Sequence, residues 1–336
     1  MKHLDLFSGA GGFSLGLKQA GFSIKKTYFS EIDKHAIANY KQNFKDAEYI
    51  GSVSNVRGGD LPKIDIITFG SPCQDFSLAG KRKGMDGDRS SLILEAIRLI
   101  QECRPRFFIW ENVKGAFSSN SGEDFAAILQ AFTNIGGYRL EWQLLNTKRF
   151  LPQNRERIYL VGYIGEKRRG KIFPIPEDNK SINELQKQQA NTCTLTTRYG
   201  ANGNGSYIAQ REFNAQKVVK ISKEIIGAMR GRNPLNSSDR TTGSPTVQRL
   251  EINKNNVTNT LTSVQKDNLV VTDRIRRLTP IECERLQGFP DNWTSSGNYD
   301  GEIKLTPESQ RYKLMGNAVT VNVVEAIGKQ LKINKL

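Results

Sequence analysis

Over residues 1–164, short apolar runs alternate with amphipathic stretches, and no other feature restricts the fold as strongly. The runs HLDLF, KKTYFSEID, IDIITF and RFFIWEN have the length and apolar continuity of strands buried on both faces. Between them, GFSLGLKQAG, KHAIANYKQNF and RSSLILEAIRLIQE carry apolar residues at helical spacing. Strand and helix in alternation predict an α/β protein with a doubly wound, mostly parallel sheet. The β-rich segments YRLEWQLLN and RERIYLVGYI follow, close enough in sequence to pair antiparallel at the sheet edge.

After Gly165 the alternation stops. Asn, Gln, Ser, Thr, Lys and Gly dominate, with loops such as RYGANGNGSY, and a smaller irregular domain is expected from 166 to 274. Two passages within it, TCTLTTR and TNTLTSVQ, resemble each other but are too short to establish a repeat. Helical periodicity returns in TPIECERLQGF, where Thr279 precedes Pro280 and Glu282 completes a capping box. A last helix is expected through GNAVTVNVVEAIGKQL, so residues 275–336 return to complete the domain begun by residues 1–165.

The chain of 336 residues carries a formal charge of +15, which points to a polyanionic partner. Residues 165–271 hold seventeen Lys or Arg against nine Asp or Glu, so the basic excess leans toward the irregular segment. No apolar run approaches the roughly 20 residues of a membrane helix. The opening MKHLDLFSGAGG lacks the regions of a signal peptide, so the expected location is cytoplasmic, without membrane contact. With two histidines and four well-separated cysteines, no zinc site is expected. Each of Cys73, Cys103, Cys193 and Cys283 is then core filler or nucleophile.

Where strands end, chemistry-bearing residues gather. Gly9-Ala10-Gly11-Gly12 sits between the first strand and first helix, where absent Cβ atoms let a ligand reach backbone and helix N-terminus. The run is not a complete GxGxxG, and a merely structural turn would look the same. Twenty residues after Gly11, Glu31 closes the second strand, placed to accept both ribose hydroxyls of an adenosine. An adenosine cofactor fits, with NAD and S-adenosylmethionine both open. The third and fourth strands finish in GSPCQ and ENV, and parallel strands bring Cys73 and Glu111 to the same crevice.

The pieces DLFSGAGGFSLGL, SEID, GSPCQDFSLAGKRKGMDGDRSSL, ENV, QNRERIYLVG, RLTPIECERLQGFPDNW and YKLMGNAVTVNVV, in this order, resemble the DNA (cytosine-5) methyltransferases along nearly the whole chain. The resemblance implies the S-adenosylmethionine-dependent methyltransferase fold with a target-recognition domain. It implies methyl transfer from S-adenosylmethionine to C5 of a specific cytosine in double-stranded DNA, on a base flipped out of the duplex. Cys73 would attack C6, Glu111 would bind N3 and the exocyclic amine, Arg157 would reach O2, and Arg155 would support the site. Phe7, Gly9 and Gly11 would border the methionine part, Glu31 the ribose, Ile32 the adenine and Pro72 the ring edge, with Asn317 and Val319 closing from the C-terminal side.

One position departs from the family pattern. Where an acid commonly meets the adenine amine, this chain has Gly51-Ser52-Val53, so Ser52 accepts that bond or another acid such as Asp60 replaces it. Ser77 and Arg89 match lid positions that steady the loop or grip the DNA strand. Arg198, Arg230, Arg232, Arg240 and Arg249 are candidates for guanine contacts in the major groove. The resemblance further implies a monomer, serving a restriction-modification system alongside a cognate endonuclease that is not stably bound, or acting as an orphan or phage enzyme. Two competing readings are a transfer-RNA methyltransferase and a DNA-binding module without catalysis. The first usually has a shorter insert; the second would lack the thiol or the carboxylate, and both are present.

Overall fold

The computed structural model describes residues 1–71, 91–118, 122–164, 171–175, 225–234, 236, 246–253, 257–261, 268–271 and 275–333. The first part runs β1 (Lys2–Leu6), α1 (Gly12–Gln19), β2 (Lys26–Ser30), α2 (Lys34–Asn43), β3 (Glu48–Tyr49), β4 (Ile66–Gly70), α3 (Ser91–Cys103), β5 (Phe107–Val113), α4 (Gly115–Ser118) and α5 (Glu123–Asn134). It continues through β6 (Arg139–Asn146), β7 (Gln153–Asn154) and β8 (Glu156–Tyr163). Next come β9 (Ile225–Arg232), β10 (Val247–Ile252), β11 (Thr258–Asn259), β12 (Leu269–Val271) and β13 (Ile275–Arg277). The last part holds α6 (Pro280–Leu286), β14 (Ser296–Tyr299), β15 (Glu302–Leu305), α7 (Glu308–Asn317) and α8 (Val321–Ile333).

Seven strands form one sheet in the order β3-β2-β1-β4-β5-β8-β6. The first five are parallel, and β8 lies antiparallel between β5 and β6. This is the doubly wound α/β sheet expected from the alternation. Both of its faces are buried because adjacent residues of one strand point to opposite sides. Ile67 and Phe108 join α3 and α5 residues such as Leu99 and Phe132 in one core cluster, while Ile66 and Phe107 pack with Val323 and Ile327 of α8 in another. A second sheet, β10-β9-β12-β13, takes three strands from the irregular segment and its edge strand β13 from residues 275–277, just past the boundary expected at 274.

Several sequence expectations need correction. The short strand β3 intervenes, so the strands ending at Gly70 and Val113 are fourth and fifth in the chain rather than third and fourth. Strand β2 stops at Ser30, because Asp33 turns the chain by accepting from the amides of His35 and Ala36 to cap α2. The single helix expected through 316–331 is broken between Asn317 and Val321. There the carbonyls of Met315 and Ala318 accept from Gln287 Nε2, and Val321 N–H donates to the Gln287 carbonyl. Side-chain partners thus replace the hydrogen bonds of a continuous helix. Helix α5 and the β14–β15 hairpin were not foreseen at all.

Candidate active site

The loop after β1 is built for close approach. Gly9 and Gly11 have φ of 52° and 82°, and Phe7, which has a side chain to accommodate, is also held at 51°. A Cβ on Gly12 would lie 2.6 Å from Val319 Cγ1, so the start of α1 is in direct contact with the loop between α7 and α8. Glu31, just past β2, fastens this loop: Oε2 accepts from Gly9 N–H at 2.9 Å, and Oε1 from the amides of Ile32 and Asp33 at 2.8 and 3.1 Å. Three backbone donors leave the carboxylate room for one further donor, not the two ribose hydroxyls expected, unless an amide is given up.

Ile32, at 77% exposure, presents an apolar side chain beside that carboxylate. A Cβ on Gly51 would meet nothing within 4 Å, and one on Gly9 would have only the Phe7 carbonyl at 3.9 Å, so both loops border open space. Ser52 stands at the start of a 3-10 turn over Val53–Asn55 and makes no side-chain cap bond to it. Asp60 lies apart, at the end of a second such turn, in a groove lined with Ser54, Asn55, Arg57, Arg98 and Glu102. Asn317 is exposed at the end of α7, whereas Val319 is buried against Gly12. Open glycine edges, an exposed aliphatic residue and a carboxylate with spare capacity fit an adenosine-bearing group.

Beneath the loop lies a polar network with no counterpart in the sequence reading. Asp5 accepts from Ser14 Oγ and Tyr40 OH at 3.0 Å and from Thr68 Oγ1 at 2.8 Å, while His3 Nε2 meets Thr68 Oγ1 at 2.7 Å. All five residues are buried. Burial pushes Asp5 up to about 7, against the pull of its three hydroxyl donors, and pushes His3 down to about 3. Trp293 Nε1 also donates to the Ala10 carbonyl at 2.9 Å. The aspartate of DLF, followed by the serine of GGFS, was the available clue.

At the reaction end, Glu111 and Arg157 meet. Glu111 ends up next to Gly70 in the β4–β5 register, and Arg157 lies opposite Val113 on β8. Arg157 Nε is 3.1 Å from Glu111 Oε1. Arg155, two residues earlier and buried, donates instead to the carbonyls of Leu261, Gly316 and Ala318 at 3.3, 3.3 and 2.8 Å. Ser71 follows β4 and accepts from Trp110 Nε1 at 3.1 Å and Asn112 Nδ2 at 3.2 Å, fixing the chain one residue before Pro72. Sequence reading named neither Trp110 nor Asn112 for this task. Pro72, Cys73, Ser77, Arg89, Cys193, Arg198 and Arg240 lie outside the described residues. Cys103 and Cys283 are filler, their thiols pushed by burial up to about 11 and about 12.

In the second sheet, Arg230 lies directly opposite Arg249, and Arg232 shares their face two residues along β9. Arg232 is engaged with Glu251, with Nη2 2.7 Å from Oε2, and its hydrogen bonding holds that carboxyl below the ordinary range. Among the described residues no helix is long and apolar enough to cross a membrane.

A mostly parallel α/β sheet of this kind is shared with solved methyltransferases. The solved S. pombe Dnmt2 methyltransferase shares it at a TM-score of 0.65 and 20% identity, each chain covered over its full length (100%). The chain belongs to the C-5 cytosine-specific DNA methylase family, whose profile matches residues 1–333, and it is therefore an enzyme of that class. It is 33% identical over 340 residues to the type II methyltransferase M1.ScrFI of Lactococcus lactis subsp. cremoris, covering 98% of this chain and 77% of the relative. It is 32% identical to M.Bsp6I of Bacillus sp. (strain RFL6), covering 97% of both.

Proposed function

We propose that the chain methylates C5 of one cytosine in a specific double-stranded DNA sequence, using S-adenosylmethionine, and that Cys73 and Glu111 activate the flipped base. The observation that carries this reading is the Glu111–Arg157 pair at the carboxyl edge of β5, in register with the strand that leads to Pro72 and Cys73. C5 of cytosine is a weak nucleophile. Addition of the Cys73 thiolate to C6, with Glu111 giving a proton to N3, makes C6 tetrahedral and leaves a C4=C5 double bond conjugated with the nitrogens on C4, an enamine whose C5 can take a methyl group. Arg157 holds Glu111 in place and turns its remaining donors to O2. A base then removes the C5 proton, the C5=C6 bond re-forms as the Cys73 thiolate leaves C6, and the N3 proton returns to Glu111.

Glu31, Ile32, Ser52 and the Gly9–Gly11 loop would hold the cofactor, with Phe7, Pro72, Asn317 and Val319 around it; its sulfonium supplies an electrophilic methyl group. Ser77 and Arg89 would act from the loop over the site. Sequence choice would lie in residues 166–274, between the catalytic parts 1–165 and 275–336. Arg230 and Arg249 face each other there, a concentration of positive charge across which a polyanion could lie. Arg230, Arg232 and Arg249, with Arg198 and Arg240, are the candidates for DNA contacts, and Glu251 lies among them as the partner of Arg232. The enzyme would act as a cytoplasmic monomer, paired functionally with a restriction endonuclease or alone as an orphan enzyme.

Base-resolution mapping of 5-methylcytosine, after incubating duplex DNA or transfer RNA with the protein and S-adenosylmethionine, tests the substrate. Methylation confined to one duplex context is expected; methylation of transfer RNA alone would overturn the DNA reading. A duplex with fluorine at C5 of the target tests the mechanism, because no proton can then leave C5 and elimination stops. A denaturation-resistant adduct whose peptide link maps to Cys73 is expected. Methylation of ordinary cytosine without any such adduct would sink the covalent step.

A further inference from the structure

Four separate stretches of chain meet at Arg155 and Gln153. Both side chains are buried, and both hold the peptide groups of Leu261: Gln153 Oε1 accepts from its N–H at 2.9 Å, and Arg155 Nη1 donates to its carbonyl at 3.3 Å. The rest of the arm is stapled to the same strand. Thr258 and Asn259 pair in parallel with Gln153 and Asn154, and Thr260 Oγ1 donates to the Asn154 carbonyl at 2.8 Å. Residues 258–261 are therefore bound to the segment that continues, two residues on, into Arg157.

The same guanidinium reaches to the other side. Its donors also hold the carbonyls of Gly316 and Ala318, which flank Asn317 and lead into Val319, the residue packed against Gly12 at the start of α1. Gln153 Nε2 donates to the Leu286 carbonyl at 2.7 Å, tying in α6. One buried cation thus ties the arm of the basic segment, the loop that seats against the cofactor loop, and the strand bearing the partner of Glu111. Hydrogen bonds from a charged donor are the strong ones, and in a buried setting each donor released must find a new partner. A shift of the 316–320 loop is therefore transmitted to Leu261 rather than absorbed.

We infer that Arg155 is a positioning residue that couples occupancy of the cofactor site to the arm at residues 258–261, so that cofactor and DNA strengthen each other's binding. The inference rests on the proposed assignment of cofactor and DNA to this chain. It assigns Arg155 no contact with either ligand. Coupling of this kind is reciprocal, and typical coupling energies correspond to about 5- to 150-fold in affinity.

The test uses the full chain, S-adenosylhomocysteine and a duplex carrying the context found by methylation mapping. For the wild type, S-adenosylhomocysteine should tighten DNA binding by about fivefold or more and slow amide exchange in the peptide holding residues 258–261. Arg155→Lys keeps the charge but replaces the planar fork by a single ammonium, which cannot hold three carbonyls on two sides. Whatever its affinity for each ligand alone, the tightening of DNA binding by S-adenosylhomocysteine should fall below about twofold and the exchange difference should disappear. If Arg155→Lys does not fold, Gln153→Met, which frees only Leu261 N–H and the Leu286 carbonyl, is judged by the same ratio. Undiminished tightening in the folded variant, or a wild type that binds both ligands with no mutual effect, would overturn the inference and leave the site assignment standing. A wild type that binds neither ligand would remove the assignment itself.

Discussion

The two sheets of this enzyme are held together differently. In the seven-stranded sheet both faces are covered, and residues such as Leu4, Phe69, Phe108 and Leu160 have no exposure at all. In the four-stranded sheet β10 is largely exposed, with Val247 at 50% and Ile252 at 46%, and arginine faces arginine across β9 and β10. The first sheet satisfies itself. The second leaves apolar side chains and facing arginines on an exposed sheet, a surface that the proposed contact with DNA would cover. Substitutions should therefore separate the two cleanly: chemistry and stability answer to the first, affinity and sequence choice to the second.

The largest effects should come from the strand ends of the first sheet. Cys73→Ala should abolish methyl transfer, and Glu111→Gln should lower the rate by about 10² or more, in the range of general acid catalysis. Both should leave DNA affinity nearly unchanged, because phosphate contacts are made elsewhere. Single-turnover methylation together with filter binding measures the pair of quantities; turnover by the Cys73 variant, or a Glu111 variant within about twofold of wild type, would remove that residue from the mechanism.

The second sheet should show the reverse pattern. Arg249→Ala should keep stability within about 0.5 kcal/mol, or raise it slightly by relieving Arg230. If Arg249 reads a base, the loss is about 1–3 kcal/mol and selectivity relaxes at one position; if it meets phosphate, binding weakens evenly and the salt slope drops by about one. A large stability loss with no change in DNA binding would mean that this face serves the fold after all. Gly12→Ala sharpens the contrast from the other side. Its Cβ would lie 2.6 Å from Val319 Cγ1 and 2.7 Å from the Val319 carbonyl, an overpacked contact expected to cost about 1–3 kcal/mol and to weaken cofactor binding. Thermal melting with and without S-adenosylhomocysteine reads both.

The same contrast explains what could be read from the sequence. Strands buried on both faces leave a continuous apolar run, so IDIITF and RFFIWEN revealed β4 and β5 and, with them, the edge where Glu111 stands. Strand β10, VQRLEI, carries no such run, since most of its side chains are exposed rather than packed in a core. Two omissions were avoidable. Phe125, Ile128 and Phe132 repeat at helical spacing in α5, and Asp300-Gly301, with φ of 54° and 101°, is a hairpin turn signal between β14 and β15. The break at Ala318 was not readable. It depends on Gln287 and Arg155, which are distant in sequence and meet these carbonyls only once the chain is folded.

The smallest expected effect lies inside the first sheet, in the His3–Asp5 network under the cofactor loop. Burial raises Asp5 from 3.8 to about 7, so between those values the folded chain keeps a proton that the unfolded chain releases. Its stabilising contribution is full below the lower value and is lost as pH rises toward the upper one. Burial lowers His3 from 6.5 to about 3, so over that range the unfolded chain binds a proton that the folded chain refuses. Its contribution is full at high pH and is lost as pH falls. The two slopes have opposite sign and overlap between about 4 and 6.5, each limited to about 1.4 kcal/mol per pH unit, so they largely cancel in the wild type. His3→Asn removes one of them. Relative to wild type, its stability should then fall with rising pH by up to about 1.4 kcal/mol per unit, and Asp5→Asn should show the opposite slope. Urea titrations at pH values of about 4.5, 5.5 and 6.5 supply the differences. A stability difference that stays constant across the three for both variants would mean that neither group changes protonation on unfolding, and that the network under the loop is held by its hydroxyl bonds alone.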